Sequence, residues 1–129
     1  MLWTQHGSLM VLVHANHPPS DDDWGRYLQE LEVQMEQHEL SAVLVDSRGE
    51  GPNAAQRRKL GALAERTEYI PTAIVTTNVI ARGIMRALSW FRQDTFRAFD
   101  SLANAHEWLG MGDLGELERM VLSMRARMP

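Results

Sequence analysis

Three short, almost uninterrupted apolar runs constrain this chain more than any other feature: Leu9–Ala15 (LMVLVHA), Ala42–Asp46 (AVLVD) and Thr72–Thr77 (TAIVTT). Each has the length of a strand rather than a helix. A strand that is apolar on consecutive residues is buried on both faces, as in parallel sheets covered by helices. The segments between the runs read as helices. Asn16-His17-Pro18-Pro19 breaks the first strand, and Ser20 then caps a helix from Asp21 to about His38. Asp21, Asp22 and Asp23 suit the positive end of that helix, and Trp24, Tyr27, Leu28, Leu31 and Met35 recur at helical spacing.

The pattern repeats downstream. Asn53 caps a helix from Ala54 to about Glu68, Pro71 ends the connection, and Asn78 caps a helix from Val79 to Phe91. Thr95–Phe99 is a short last strand, and Leu2–Gln5 a short first one before the turn His6-Gly7-Ser8. Asp100 or Ser101 caps a helix through Leu109, Gly110 and Gly112 break it, and Asp113 starts a final helix over Leu114–Met128. Strands alternating with helices predict an α/β fold: a small, mostly parallel sheet of four or five strands packed by about four helices.

Composition narrows the function classes. The length of 129 residues suits one domain. The absence of cysteine excludes a disulfide framework, an iron–sulfur site and a cysteine-based zinc site. A net charge of -4 argues against a general nucleic-acid binder, which carries a basic face. No stretch approaches the roughly 20 apolar residues of a membrane span, and Met1–Gly7 lacks a basic leader, so a cytoplasmic protein is expected. No P-loop, dinucleotide glycine fingerprint or nucleophile elbow is present, so neither a cofactor nor an enzyme is expected.

Four groups of residues are candidates for function. Asp46 and Ser47 end a strand, where α/β folds place their sites. Either could accept a phosphoryl group, and either could simply make turn hydrogen bonds. Asp21–Asp23, Asp46 and Thr76 or Thr77 line up in order like the residues of a receiver domain, but the lysine after the last strand is replaced by Arg97 within it. His14, His17 and Asp46 have ligand chemistry suited to zinc or iron. Arg82, Gly83, Ala87, Trp90 and Phe91 form a helix face that allows close backbone approach beside large apolar area, as at a subunit interface or pocket wall.

The order of elements resembles the STAS class of anti-sigma-factor antagonists, and most closely the SpoIIAA-like (STAS/SEC14-type) bacterial proteins. The resemblance rests on the lead hairpin ending in Leu9–Ala15, the helix bearing Trp24, Ala42–Asp46 and Thr72–Thr77. It continues through Ala81-Arg82-Gly83, Ala87-Leu88-Ser89-Trp90, Phe96-Arg97-Ala98-Phe99 and Ala105-His106-Glu107-Trp108-Leu109. It covers about Leu2 to Gly110 and implies a mixed sheet with one antiparallel edge pair, packed by helices mainly on one face. It also implies a non-enzymatic signalling or protein-interaction module, while lipid-transfer relatives imply a carrier of a small apolar ligand. The phosphorylatable antagonists open a helix with a D-S-S-G-like motif. Here that helix opens at Gly51-Pro52-Asn53-Ala54-Ala55, without serine, and Asp46-Ser47-Arg48-Gly49 lies several residues earlier.

This reading divides the chain into a STAS-like domain, residues 1–110, and a C-terminal helical extension, residues 111–129. Leu117, Val121 and Met124 stripe that extension, with Met111, Met120 and Met128 beside them. Methionine suits adaptable surfaces. The stripe could dock on its own domain, exchange with a second copy in a homodimer, or bind a protein partner. A metal- or phosphate-dependent enzyme built on His14, His17 and Asp46 is the remaining rival.

Overall fold

The structure, a computed structural model, describes residues 1–14, 19–37, 40–47, 54–56, 58–59, 62, 70–77 and 96–128. It is an α/β fold with a five-stranded sheet in the order β1-β2-β3-β4-β5: Leu2–His6, Leu9–Val13, Ala42–Asp46, Thr72–Val75 and Phe96–Phe99. β1 and β2 form an antiparallel hairpin, and β2 through β5 run parallel. Gly7 has φ 61°, the left-handed conformation that the two-residue turn between paired His6 and Leu9 requires. β2, β3 and β4 are the apolar runs of the sequence: β2 stops at Val13 and β4 at Val75, short of the polar residues that follow, and β3 ends on Asp46.

Three helices are described in full: α1 (Asp21–Glu36), α2 (Leu102–Leu109) and α3 (Leu114–Ala126). Residues 54–56, 58–59 and 62 are helical as well. Each full helix starts where a side chain accepts one of its free N–H groups. Ser20 forms a reciprocal capping box with Asp23. The Ser101 hydroxyl accepts from the Asn104 N–H, and the Asp113 carboxylate from the Glu116 N–H. α2 ends at Gly110, whose φ of 65° makes the left-handed cap. Among the described residues no helix is long and apolar enough to cross a membrane.

Side chains alternate across the sheet and divide the core in two. On one face Met10, Leu12, Val43, Val45 and Ile74 meet Tyr27 and Leu31 of α1. On the other Leu9, Val11, Val13, Leu44, Ala73 and Val75 meet Ala105 of α2 and Leu117, Val121 and Met124 of α3. α2 lies across β3, β4 and β5, and α3 lies against β2. The expectation of helices mainly on one face is therefore corrected: both faces are covered. The physical reason is in β2 itself, whose five residues are all buried and so need cover on each side.

Candidate functional site

The polar residues that terminate the apolar runs come together. β2, β3 and β4 are in register, with Val13 beside Asp46 and Asp46 beside Val75. The ladder continues for one more residue on each strand. His14 N–H donates to Asp46 O, Ser47 N–H to Val75 O, and Thr76 N–H to Phe99 O, each at 2.9 Å. His14, Ser47 and Thr76 therefore form a row across three adjacent strands, about 4.8 Å apart from strand to strand. All three are buried, at 3%, 4% and 2% exposure. Alternation places this row on the α1 side of the sheet.

His14 confirms that direction through its contact with α1. Its ring meets Trp24 edge-on, with centroids 5.4 Å apart and an interplanar angle of 85°. Neither imidazole nitrogen has a hydrogen-bond partner, and the buried Trp24 Nε1 has none either. Burial, reinforced by the N-terminal ammonium and Arg125, pushes the His14 imidazole down to about 4, so the ring is neutral at pH 7. Next to this corner, Gln56 donates to Asp21 Oδ1 at 2.8 Å and ties the first turn of α1 to the helical residues 54–56.

On the opposite face Arg125 of α3 clamps the strand ends. Its Nη1 donates to the carbonyl of His14 at 2.9 Å, and its Nη2 donates to Asp46 Oδ1 at 2.8 Å and to the Asp46 carbonyl at 3.3 Å. Both side chains are largely shielded, at 13% and 14% exposure. A guanidinium is suited to this work because its donors form a rigid planar fork.

The candidates from the sequence fall out as follows. Asp46 and Ser47 are adjacent in sequence but face opposite ways. The Asp46 carboxylate is engaged by Arg125, and Ser47 is buried on the α1 side. His14 and Asp46 likewise point to opposite faces, so they do not converge on one ion, and His17 lies outside the described residues. Among the described residues no group of three His, Cys, Asp or Glu is placed to hold a metal. The receiver-like order is not gathered either: Asp46 and Thr76 are on opposite faces, and Asp23 is spent on its capping box. Arg82, Gly83, Ala87, Trp90 and Phe91 lie outside the described residues. Leu117, Val121 and Met124 are buried at 0%, 4% and 1% exposure, docked on their own sheet.

Sequence reasoning named His14, Ser47 and Thr76 in three separate schemes and missed them as a set. A signal was present: each is the first polar residue after an apolar run, or one past it where Asp46 intervenes. Arg125 had no such signal, being 111 and 79 residues from its partners. Trp24 was read only as core, which left its indole N–H out of account. No family model, curated protein or solved structure matches the chain.

Proposed function

We propose that the chain is a cytoplasmic, non-enzymatic module of the STAS-like kind that acts through protein contacts as a homodimer. The observation that supports this is the Arg125 clamp. In an α/β sheet the carboxyl ends of the strands are where reactive groups are presented. Here the Asp46 carboxylate at those ends is neutralised by Arg125, that of Asp100 after β5 accepts from the Asn104 amide, and His14 has no acid to orient it. A general base needs an orienting partner and a reachable proton, and this arrangement serves rigidity instead. The parallel sheet behind a lead hairpin agrees with the STAS-like order of elements.

The test pairs light scattering on the purified chain with cross-linking and mass spectrometry in the native cell. A particle of twice the monomer mass, with reproducible cross-links to one other protein, supports the reading. A monomer that carries a lipid-sized adduct in native mass spectrometry refutes it and favours the apolar-ligand carrier. Turnover of a substrate that disappears in Ser47→Ala refutes it in favour of an enzyme.

A further inference from the structure

The corner between β2 and α1 holds two polar side chains that the interaction-module reading does not use. His14 and Trp24 are 3% and 4% exposed, their rings are in contact, and their three ring nitrogens have no partner. Buried polar groups in folded proteins are almost always hydrogen-bonded, because leaving one unmet forfeits its hydration without return. Two such groups side by side are free to take a hydrogen-bonding partner.

The chemistry of that molecule follows from the groups around it. The indole N–H is a donor only, and a neutral imidazole offers one further donor. The Ser47 row neighbour carries a hydroxyl that can also donate. The charges acting on His14 are positive: the N-terminal ammonium and Arg125. Of the nearby acids, Asp46 is paired with Arg125 and Asp23 with Ser20 and Arg26, Asp21 accepts from the Gln56 amide, and Asp22 stands in the exposed first turn of α1. A corner whose unpartnered groups are donors, beside an imidazole on which positive charges act, selects an oxygen acceptor.

The geometry points to a binding site for a small oxyanion, a carboxylate or a phosphate group, held between the carboxyl end of β2 and the start of α1 by His14 and the Trp24 indole N–H. The site goes beyond the interaction-module reading and does not depend on it. Binding lets His14 take up a proton, so that the buried anion gains a charged partner. The anion therefore binds more tightly as the pH falls toward neutral and below.

The test is proton–nitrogen NMR on the full chain, titrated with sodium acetate and separately with inorganic phosphate. The Trp24 indole signal is identified by its loss in Trp24→Phe. The expected result is a saturable downfield shift of that signal, with a dissociation constant below about 1 mM for one of the two anions. The anion that saturates first identifies the headgroup chemistry. Trp24→Phe keeps the aromatic packing and weakens binding about tenfold, read from the His14 ring nitrogens. Three results overturn the proposal: no saturation with either anion, the same shift with sodium chloride at equal ionic strength, or an indole N–H in contact with one long-lived water and indifferent to both anions. The wild-type titration decides the matter even if a variant folds poorly.

Discussion

Replacing Arg125 by methionine keeps an aliphatic stem against the sheet and removes every donor of the clamp. The wild-type guanidinium makes hydrogen bonds of 2.8 and 2.9 Å to Asp46 Oδ1 and to the His14 carbonyl, with a longer one to the Asp46 carbonyl. An exposed ion pair contributes about 0.2–1 kcal/mol, whereas removing one partner of a buried pair costs about 3–5 kcal/mol. At 13% and 14% exposure this pair lies near the buried limit, and the Asp46 carboxylate keeps slight access to water. We expect a loss of about 3 kcal/mol for Arg125→Met, since the stranded carboxylate is partly rehydrated. For 129 residues the unfolding entropy is about 0.27 kcal/mol/K, so Tm falls by about 11 °C. Urea unfolding followed by circular dichroism measures the loss directly. Asp46→Asn and the double variant complete a cycle whose coupling energy is expected to exceed about 1 kcal/mol. A loss below about 0.5 kcal/mol for Arg125→Met, with additive behaviour in the cycle, would falsify the claim that the guanidinium holds the strand ends.

Other outcomes follow from the same structure. His14 is held neutral down to about 4, below its unfolded value of 6.5. The unfolded chain therefore binds the extra proton first, so stability is full above pH 6.5 and is lost as the pH falls toward 4, by up to about 3 kcal/mol. Urea midpoints from pH 7.5 to 4.5 should drop more steeply for the wild type than for His14→Leu, and parallel slopes would count against the buried neutral ring. Leu117→Ala, at a fully buried position, is expected to cost about 2–5 kcal/mol, and Leu122→Ala on the same helix, 63% exposed, less than about 0.5 kcal/mol in the same assay. Truncation after Gly110 should abolish cooperative thermal unfolding, because it strips Leu117, Val121 and Met124 from the core; a truncated chain that melts sharply would show the helix to be dispensable. Ser20→Ala removes one half of the capping box and is expected to cost about 1 kcal/mol.

Much of the fold was legible because it is written in local chemistry. The apolar runs located β2, β3 and β4, and Ser20, Asp113 and one of the two alternatives at residues 100 and 101 marked helix starts. The stripe Leu117, Val121, Met124 was equally plain as a buried face, but periodicity does not say which surface covers it. Part of the answer lay in β2: a strand apolar on both faces needs two covers, and the crossover helix α1 supplies only one. The site was less legible. Whether His14, Ser47 and Thr76 lie in one row depends on inter-strand register, and register is a long-range property. The split of Asp46 from Ser47 is a matter of alternation that becomes informative only once the identity of each face is known.

The docking of α3 also bears on how the chain can be made. Leu9, Val11 and Val13 rest on Leu117, Val121 and Met124, residues separated by more than a hundred positions. During synthesis at about 5–20 residues per second, β2 waits several seconds for the helix that covers it. The nascent sheet carries a bare aliphatic face for that whole interval, which is the condition under which chaperones bind and neighbouring chains aggregate. The earliest strong strand cannot mature until α3, more than a hundred residues later, has emerged from the ribosome.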